Sequence, residues 1–383
     1  MRGVLIVVLV MMSVTLINAQ EQPPVTRTIY RRTPSFTPYT RLPSIVNKDS
    51  ITKICINGNG RRRLREDSLL MYKNLEELEL IDCKISRLPK KLMNKKSLTR
   101  LVISNNFPKR KLKLPKSTTI QSLTIRGDEN KKLPRSYRKF KSLEVLQLSR
   151  NNMTKFPNIS GCNKLVRLDL NGNKITRVPG SIGNHRTLKS LNVNNNKVSK
   201  VEAGIEKLTA LEELSFYNNQ LPAIPPMLYT MTSLKMIDLY SNKIPSLSKD
   251  VAKWKNLEIL YIAHNTLYEV PEEIGQLKNL RELYIHHNMI SKLPASIGNL
   301  TSLNVLRMNN NLMVEWPAGV TNLKQLTNLD CSYNELKILP IPEFDFRNLK
   351  ILVIENNPWD PAVKKQMAVW ISSLKKNDTV VLE

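Results

Sequence analysis

Residues 257–265 read LEILYIAHN, and residues 280–288, which begin 23 positions later, read LRELYIHHN. In both stretches apolar side chains occupy the first, fourth and sixth places, and Asn occupies the ninth. The pattern returns at 303–311 (LNVLRMNNN) and at 326–334 (LTNLDCSYN). Earlier copies begin at Leu234, Leu211, Leu188, Leu165, Leu143, Ile120, Leu98 and Leu75, with a weaker first copy at Ile51 and a truncated last copy at Leu349. One repeat of 22 or 23 residues therefore builds most of the chain.

A fixed period of this length with this consensus resembles that of leucine-rich repeat proteins. The resemblance implies an α/β solenoid, a curved horseshoe with a concave parallel β-sheet and short 3-10 helical turns or loops on the convex side. Most copies continue with a segment of the LPxxIGxL kind, as at 293–300, which is similar to the repeats of Ras-scaffold and Scribble-type proteins. Such a resemblance implies a fold and a binding mode, but no particular partner.

Side-chain alternation predicts which residues face the core. Because neighbours on a strand point to opposite faces, Leu260 and Ile262 should point inward, while Tyr261 and Ala263 should point to the concave side. Successive strands should pair in parallel about 4.8 Å apart and stack their aliphatic side chains into one core. The ninth-place Asn should satisfy backbone groups where the strand ends. This predicted ladder contains Asn151, Asn173, Asn196, Asn219, Asn242, Asn265, Asn288, Asn311 and Asn334, with Cys83 and Asp128 in the same slot.

The segments outside the repeats have distinct compositions. Residues 1–19 combine Arg2, an apolar run from 4 to 17 and Ala19, which is typical of a signal peptide and predicts secretion. Residues 20–49 are rich in Pro, Thr and Arg and are expected to be disordered. The solenoid should occupy 50–361, with about 13 to 14 repeats, and 362–383 should form a capping helix and tail. No later run is long enough to predict a membrane span. The stripe expected to face the core is Val363, Met367, Trp370, Ile371 and Leu374.

Cysteines and sequons bear on the secretory interpretation. Cys162 and Cys331 occupy apolar repeat positions and should be buried thiols. Cys55 and Cys83 belong to adjacent copies but should point to opposite faces, and whether they pair is left open. N-x-S/T sequons occur at Asn152, Asn158, Asn299 and Asn377, of which Asn299 should be exposed on the return side.

Charge is concentrated toward the N-terminus. Residues 20–150 hold 31 Lys and Arg against 11 Asp and Glu, whereas the whole chain carries a net charge of +27. Two similar runs of bases follow the ladder slot of their repeats, and they suggest a ridge that binds a sulfated glycosaminoglycan or a similar acidic polysaccharide. The alternative is a solvated face that only aids solubility. The predicted polyanion-binding residues are Arg61, Arg62, Arg63, Arg65, Lys109, Arg110, Lys111, Lys113, Lys131 and Lys132.

A second concentration is aromatic and falls on the strand positions that should be exposed on the concave face. Tyr and Arg dominate binding hot spots, so this patch predicts the docking site of a protein or glycan ligand. The alternative is that these tyrosines only satisfy β propensity. The predicted ligand-binding residues are Tyr217, Tyr240, Tyr261, His264, Tyr284, His286, His287, Arg307 and Tyr333.

The functional interpretation is a non-enzymatic binding protein. Motifs for a phosphate loop, a zinc protease helix or a nucleophile elbow do not occur, no cluster of metal ligands is present, and no cofactor or nucleic-acid partner is expected. Two extracellular roles remain open. One is a soluble recognition protein, for example of innate immune type, and the other is a component of an extracellular matrix, with or without mineral. A third interpretation is an intracellular scaffold, because unpaired cysteines suit a reducing compartment.

Overall fold

The computed structural model describes residues 48–58, 66–105, 112–127, 135–339, 348–376 and 378–382. Over these residues the chain forms one parallel sheet of 15 strands, in which each strand pairs with the next one contributed by the repeats. A separate two-stranded sheet is formed by β7 and β9. The strands are β1 (Lys53–Asn57), β2 (Glu77–Ile81), β3 (Arg100–Ser104), β4 (Ser122–Arg126), β5 (Val145–Gln147), β6 (Arg167–Asp169), β7 (Arg177–Val178), β8 (Ser190–Asn192), β9 (Lys200–Val201), β10 (Glu213–Ser215), β11 (Met236–Asp238), β12 (Ile259–Tyr261), β13 (Glu282–Tyr284), β14 (Val305–Arg307), β15 (Asn328–Asp330), β16 (Ile351–Val353) and β17 (Val380–Leu382).

The main core follows the predicted alternation. Ile237, Leu260 and Leu283 are register partners in consecutive strands, and all three side chains are fully buried. Equivalent aliphatic side chains from the other repeats continue the same hydrophobic cluster. No single repeat could bury this face alone, so the stacking of repeats is what stabilises the fold. The predicted solenoid with a parallel sheet is confirmed.

The asparagine ladder has the predicted role. Asn265 Nδ2 donates to the carbonyl oxygens of Leu239, Ile262 and Ala263 at 2.9, 2.9 and 3.1 Å, and its Oδ1 accepts from the amide of Ile244 at 3.0 Å. Asn288 makes the equivalent set one repeat later. Each such Asn joins its own repeat to the preceding one, because one side chain satisfies backbone groups in both.

The return side consists of short 3-10 helices, as predicted. Proline precedes the first residue of several of them, which fits its fixed φ, and it prevents a longer regular helix. The described 3-10 helices are Lys48–Ser50, Glu66–Met71, Arg135–Lys139, Gly180–Asn184, Ile205–Lys207, Pro226–Thr230, Lys249–Lys253, Glu272–Gln276, Ala295–Asn299 and Ala318–Asn322, and one α-helical turn, α1 (Lys90–Met93), takes the same place in its repeat.

A second polar ladder, which the sequence interpretation missed, runs along the N-terminal edge of the strands. The residue just before the first Leu of a repeat is often Ser, Thr or Asn, and its side chain donates to a carbonyl of the preceding repeat. Ser233 Oγ lies 2.7 Å from Leu211 O, and Asn256 Nδ2 lies 2.9 Å from Thr232 O. Where both ladders are present, they join neighbouring repeats at both ends of a strand.

The C-terminal end of the core is covered by α2 (Pro361–Lys376), as predicted. Met367, Ile371 and Leu374 are buried against the last repeat, and Val363 and Trp370 pack at its margin. The chain then adds β17, which pairs with β16, whereas the sequence predicted only a tail there. Within the described ranges, no helix has both the length and the apolar character needed to cross a membrane.

Candidate binding surface on the concave face

The concave face, meaning the side of the 15-stranded sheet that points away from the main core, carries a second hydrophobic cluster. We call this set the aromatic cluster. It is separate from the main core and spans five consecutive repeats. Its buried members are Met236, Tyr240, Tyr261, Ala263 and Tyr284, and Tyr217, Ile259 and Val305 pack against them.

The predicted exposure of the tyrosines is wrong for three of the five that were expected to form the patch. Tyr240, Tyr261 and Tyr284 are only 3, 4 and 6% exposed, while Tyr217 is half-buried. The predicted side of the sheet is right, but strands about 4.8 Å apart bring rings of adjacent repeats into contact. The ring centroids of Tyr261 and Tyr284 lie 4.6 Å apart, and those of Tyr217 and Tyr240 lie 5.3 Å apart. The tyrosines thus bury one another.

Glu282 lies within hydrogen-bond distance of two tyrosine hydroxyls and was not identified as a site residue from the sequence. Tyr284 Oη donates to Glu282 Oε2 at 3.1 Å, and Tyr261 Oη lies 3.4 Å from the same oxygen. Burial, with the nearby carboxylate, raises the pKa of both tyrosines above the usual range, so both hydroxyls stay protonated donors. The third place of each repeat, which holds Ile259, Glu282 and Val305, also faces this side. Applying the alternation rule to that place would have found these residues.

Three of the four histidines lie at one margin of the aromatic cluster. The rings of His264 and His287 stack with centroids 4.0 Å apart, and His286 lies 5.7 Å from His264. All three are half-buried. Burial lowers the pKa of His286 well below its ordinary value, and Arg307 and the two other histidines lower it further. His286 is therefore neutral at physiological pH. In the described part of the chain, no group of three His, Cys, Asp or Glu side chains is arranged to hold a metal ion.

Two buried polar atoms beside these histidines have no hydrogen-bond partner within the described chain. They are Nδ1 of His286 and Oδ1 of Asn309, which occupy the seventh place of neighbouring repeats. The guanidinium of Arg307 lies 5.7 Å from the ring centroid of Tyr284, a cation–π contact. A ligand that reached this margin would meet an aromatic surface, one cation and two polar atoms whose hydrogen-bonding capacity is unused.

The residue before each ladder Asn has a left-handed backbone. At this place φ is +51° for Tyr333, +51° for His264 and +50° for His287. Asn195, Asn218, Asn310 and Asn356 fill the same place elsewhere, and Asn tolerates this conformation well. Tyr333 is 50% exposed, so no packing in the described chain explains a bulky side chain there. Strained residues of this kind are a reason to suspect function.

The other predicted site residues are only partly described. Of the polyanion-binding set, Lys113 is described and exposed, whereas Arg61, Arg62, Arg63, Arg65, Lys109, Arg110, Lys111, Lys131 and Lys132 lie outside the described residues. Among the sequons, Asn158 and Asn299 are exposed, Asn152 is half-buried with a left-handed φ of +54°, and Asn377 lies outside the described residues. Asn158 Oδ1 accepts from the amide of Ser160 at 3.0 Å.

All four cysteines are free and buried. Cys83 Sγ contacts the carbonyls of Ile81 and Ile56 at 3.2 and 3.5 Å. Burial raises the pKa of Cys55 to about 12 and that of Cys83 to about 11, so both are unreactive thiols at neutral pH. Whether Cys55 and Cys83 pair was left open by the sequence, and in the structure they are two separate thiols.

Comparisons with known proteins agree with the repeat pattern. A family model described as a leucine-rich repeat region matches residues 119–267 and 247–380. Ras guanine nucleotide exchange factor V of Dictyostelium discoideum is 30% identical over 171 residues, a match that covers 37% of this chain and 9% of that protein. The chain thus spans under a tenth of that relative's length.

Solved structures extend the comparison over more of the chain. A leucine-rich repeat protein of Leptospira interrogans aligns over 90% of this chain and 99% of its own, with 24% identity and a TM-score of 0.71. The plant peptide hormone receptor RGFR1, solved in complex with RGF2, aligns over 81% of this chain and 52% of its own, with 27% identity and a TM-score of 0.63.

Proposed function

The chain belongs to the leucine-rich repeat family, and from this premise we propose that it is a secreted binding protein, without catalytic activity, that receives a protein ligand on its concave face. The ligand covers the aromatic cluster and contacts the margin formed by His286, His287, Arg307 and Tyr333. A glycan is the alternative ligand class. The similarity to RGFR1, a peptide hormone receptor solved with RGF2, supports a protein or peptide ligand.

The observation that carries this proposal is the aromatic cluster itself. The main core already joins the repeats, and the aromatic cluster is a second hydrophobic cluster on the side of the sheet away from it. Large aromatic side chains with an adjacent Arg have the composition of binding hot spots. The buried tyrosines form the floor of the surface, so its exposed margin, and not Tyr261 or Tyr284, makes most of the contacts.

Secretion is a part of the proposal that rests on residues 1–19, which lie outside the described residues. Expression of the full chain in a secretory cell line, with N-terminal sequencing of the medium fraction, tests it. We expect a mature protein that begins at Gln20. Glycans on the exposed Asn158 and Asn299 should be released by an amidase in the same sample. Retention of the chain inside the cells with residues 1–19 intact would favour the scaffold interpretation, which the free cysteines also suit.

The place before each ladder Asn, where the backbone is left-handed, provides variants that separate binding from stability. We expect the double variant Tyr333→Asn, His287→Asn to lose ligand capture, because both side chains leave the binding margin. Its free energy of unfolding should stay equal or rise by about 1 kcal/mol, because Asn suits a left-handed backbone better than Tyr or His does. The matched control is Arg150→Asn, which changes an exposed residue at the same place of a distant repeat, with φ of +57°.

The measurement is affinity capture from extracellular fluid with each immobilised variant, followed by quantitative identification of the retained proteins and glycans. The proposal is supported if the wild type and the control retain a defined set of proteins or glycans that the double variant does not retain. Identical sets on all three proteins would contradict it. The matrix alternative predicts a different distribution, since a matrix component is released from tissue only by high salt or demineralisation.

The basic runs around Arg61–Arg65 and Lys109–Lys113 add a second binding proposal, for an acidic polysaccharide. Its support is the sequence alone, that is, the density of like charge. A variant with both runs changed to Gln should elute from heparin resin at lower salt than the wild type, and unchanged elution would contradict this role.

A further inference from the structure

The balance between basic and acidic residues changes near residue 186. Residues 84–186 contain 26 Lys and Arg and 4 Asp and Glu, whereas residues 187–383 contain 21 and 20. Of the two basic runs, only Lys109–Lys113 lies in the first region, and it supplies four of the 26 cations there. Most of the remainder lie on described repeats, so their positions on the solenoid can be compared.

Up to Lys200, seven described cations fall at two places of the repeat, one and four residues after the ladder slot, and five of the seven belong to residues 84–186. Lys84, Lys174 and Lys197 occupy the first of these places. Arg87, Lys155, Arg177 and Lys200 occupy the second. We call these seven residues the basic flank, and all of them are exposed.

Backbone pairing aligns the basic flank. Arg177 of β7 is the register partner of Lys200 of β9, and Arg87 forms an isolated parallel bridge with Lys113. Cations of neighbouring repeats therefore lie side by side, about 4.8 Å apart at the backbone. Like charges placed directly opposite each other destabilise a sheet, so this arrangement has a cost to folding.

Carboxylates do not neutralise the basic flank. Among its members, the described residues supply one salt bridge, between Arg177 Nη1 and Glu202 Oε1 at 3.0 Å. By contrast, on the concave face Glu77 pairs with both Lys53 and Arg100. The fold thus compensates cations on one surface and leaves the aligned cations of the flank largely without a counter-ion of their own.

The basic flank thins out beyond Lys200. The same two places hold Gln220 and Ala223 in the next repeat, Lys243 and Ser246 in the one after it, and Thr266 and Glu269 in the third. From Lys84 to Lys197 there are five repeat steps, which correspond to about 24 Å along the sheet. A face that only aided solubility would not need cations at matched places of successive repeats.

We propose that the basic flank binds a sulfated glycosaminoglycan whose chain runs along the solenoid axis, across repeats. The inference rests on the proposed secretion, which places this surface among extracellular polymers. A row of single cations, one or two per repeat, fits the regular anionic groups of a linear polymer. Phe107 is the one aromatic residue that the sequence has at these places, so a series of stacking platforms of the kind that binds single-stranded nucleic acid is missing there.

The test uses the secreted full chain and a heparin decasaccharide, with titration calorimetry at several NaCl concentrations. The flank variant changes Lys155, Lys174, Lys197 and Lys200 to Gln. A control variant removes the same charge from exposed lysines at the other end of the strands, which are Lys141, Lys164, Lys255 and Lys324. Thermal unfolding verifies that both variants fold.

We expect the flank variant to weaken decasaccharide binding by about tenfold or more near 0.15 M NaCl and to lower the slope of log Kd against log salt, because fewer counterions are released. The control variant should change Kd by less than about threefold, as long-range charge is screened at this salt. Equal weakening in both variants would show a diffuse effect of net charge and overturn the inference. Tighter binding of a DNA duplex than of the decasaccharide at the same salt would overturn the assigned partner.

The variant with both basic runs changed to Gln separates this inference from the earlier proposal. If that variant loses binding while the flank variant binds normally, the flank inference is wrong and the proposal for the runs stands. If the flank variant alone loses binding, the reverse holds. If the wild type binds the decasaccharide and neither variant weakens that binding, both proposals are wrong.

Discussion

At the scale of single residues, Asp238 connects the strand geometry with the chemistry of the concave face. Its Oδ2 accepts from Ser215 Oγ at 2.8 Å and its Oδ1 accepts from the amide of Tyr240 at 3.1 Å. Burial raises the pKa of Asp238 from its ordinary 3.8 to about 6, and the two hydrogen bonds only partly offset that effect. The described residues offer it no salt bridge.

The Asp238→Asn variant should be more stable than wild type at neutral pH. Because the folded-state pKa lies above the unfolded value, the folded state binds more protons between pH 4 and 6, and wild type loses stability as pH rises through about 6. Asn does not titrate, so the difference in unfolding free energy between variant and wild type should grow by about 2 to 3 kcal/mol from pH 4 to pH 7.5. Asn fits the site, since Asn192 Oδ1 accepts the amide of Asn194 at 2.9 Å at the equivalent place.

Urea unfolding of both proteins at a series of pH values measures this difference, and taking the difference removes the contributions of the other titrating groups. A difference that stayed constant from pH 4 to 7.5 would contradict the raised pKa. The same experiment on Asn192→Asp provides the reverse change at a matched position.

The sequence correctly predicted which way the strand side chains point, but it did not predict which of the concave-face tyrosines are exposed to solvent. Alternation correctly placed Tyr261 on the concave side and Leu260 in the core, because the period of a strand is fixed by backbone geometry. Whether an outward side chain is exposed depends on its neighbours one repeat away. Tyr261 and Tyr284 are register partners, and two large rings at one strand spacing cover each other. Both tyrosines are visible in the sequence, but their contact becomes apparent only when the two repeats are placed side by side.

At the scale of elements, α2 shows how the last repeat is closed. Its apolar stripe was predictable, since residues three and four apart lie on one face of a helix. Trp359 precedes it, and the indole Nε1 donates to Ile354 O at 3.1 Å. The following β17 was not predicted, because a strand of three residues has too few positions to show a period.

The Ile371→Ala variant should destabilise the protein by about 2 to 4 kcal/mol, because it removes a buried side chain and leaves a void between α2 and the last repeats. The matched control is Val369→Ala on the same helix, where the side chain is 75% exposed and the expected change is below about 0.5 kcal/mol. Denaturant unfolding followed by circular dichroism measures both. Equal effects of the two changes would show that α2 does not pack on the repeats in solution.

At the scale of the whole molecule, the repeat places its main stabilising contacts and the surfaces proposed to bind ligands in different parts of the structure. The main core and the two polar ladders join each repeat to the next, so stability is approximately a sum over neighbours. The aromatic cluster adds to that sum, because its tyrosines bury one another across repeats, whereas the like charges of the basic flank oppose it. Each of these two surfaces concentrates one kind of chemistry. The repeat pattern made the fold and the ladder predictable. It could not predict the flank, because the flank becomes visible only when cations of separate repeats are placed side by side.

The uneven charge predicts how salt affects the stability of the intact solenoid. Since residues 84–186 carry 26 cations and 4 carboxylates, repulsion within this region opposes folding at low salt. Raising NaCl from about 0.01 to 0.3 M shortens the screening length from about 30 Å to below 10 Å, so the melting temperature should rise by a few degrees. The flank variant with four lysines changed to Gln should start at a higher melting temperature and show a smaller rise. Thermal unfolding at constant pH measures both effects, and a melting temperature that fell with salt would mean that the salt bridges of the concave face outweigh this repulsion.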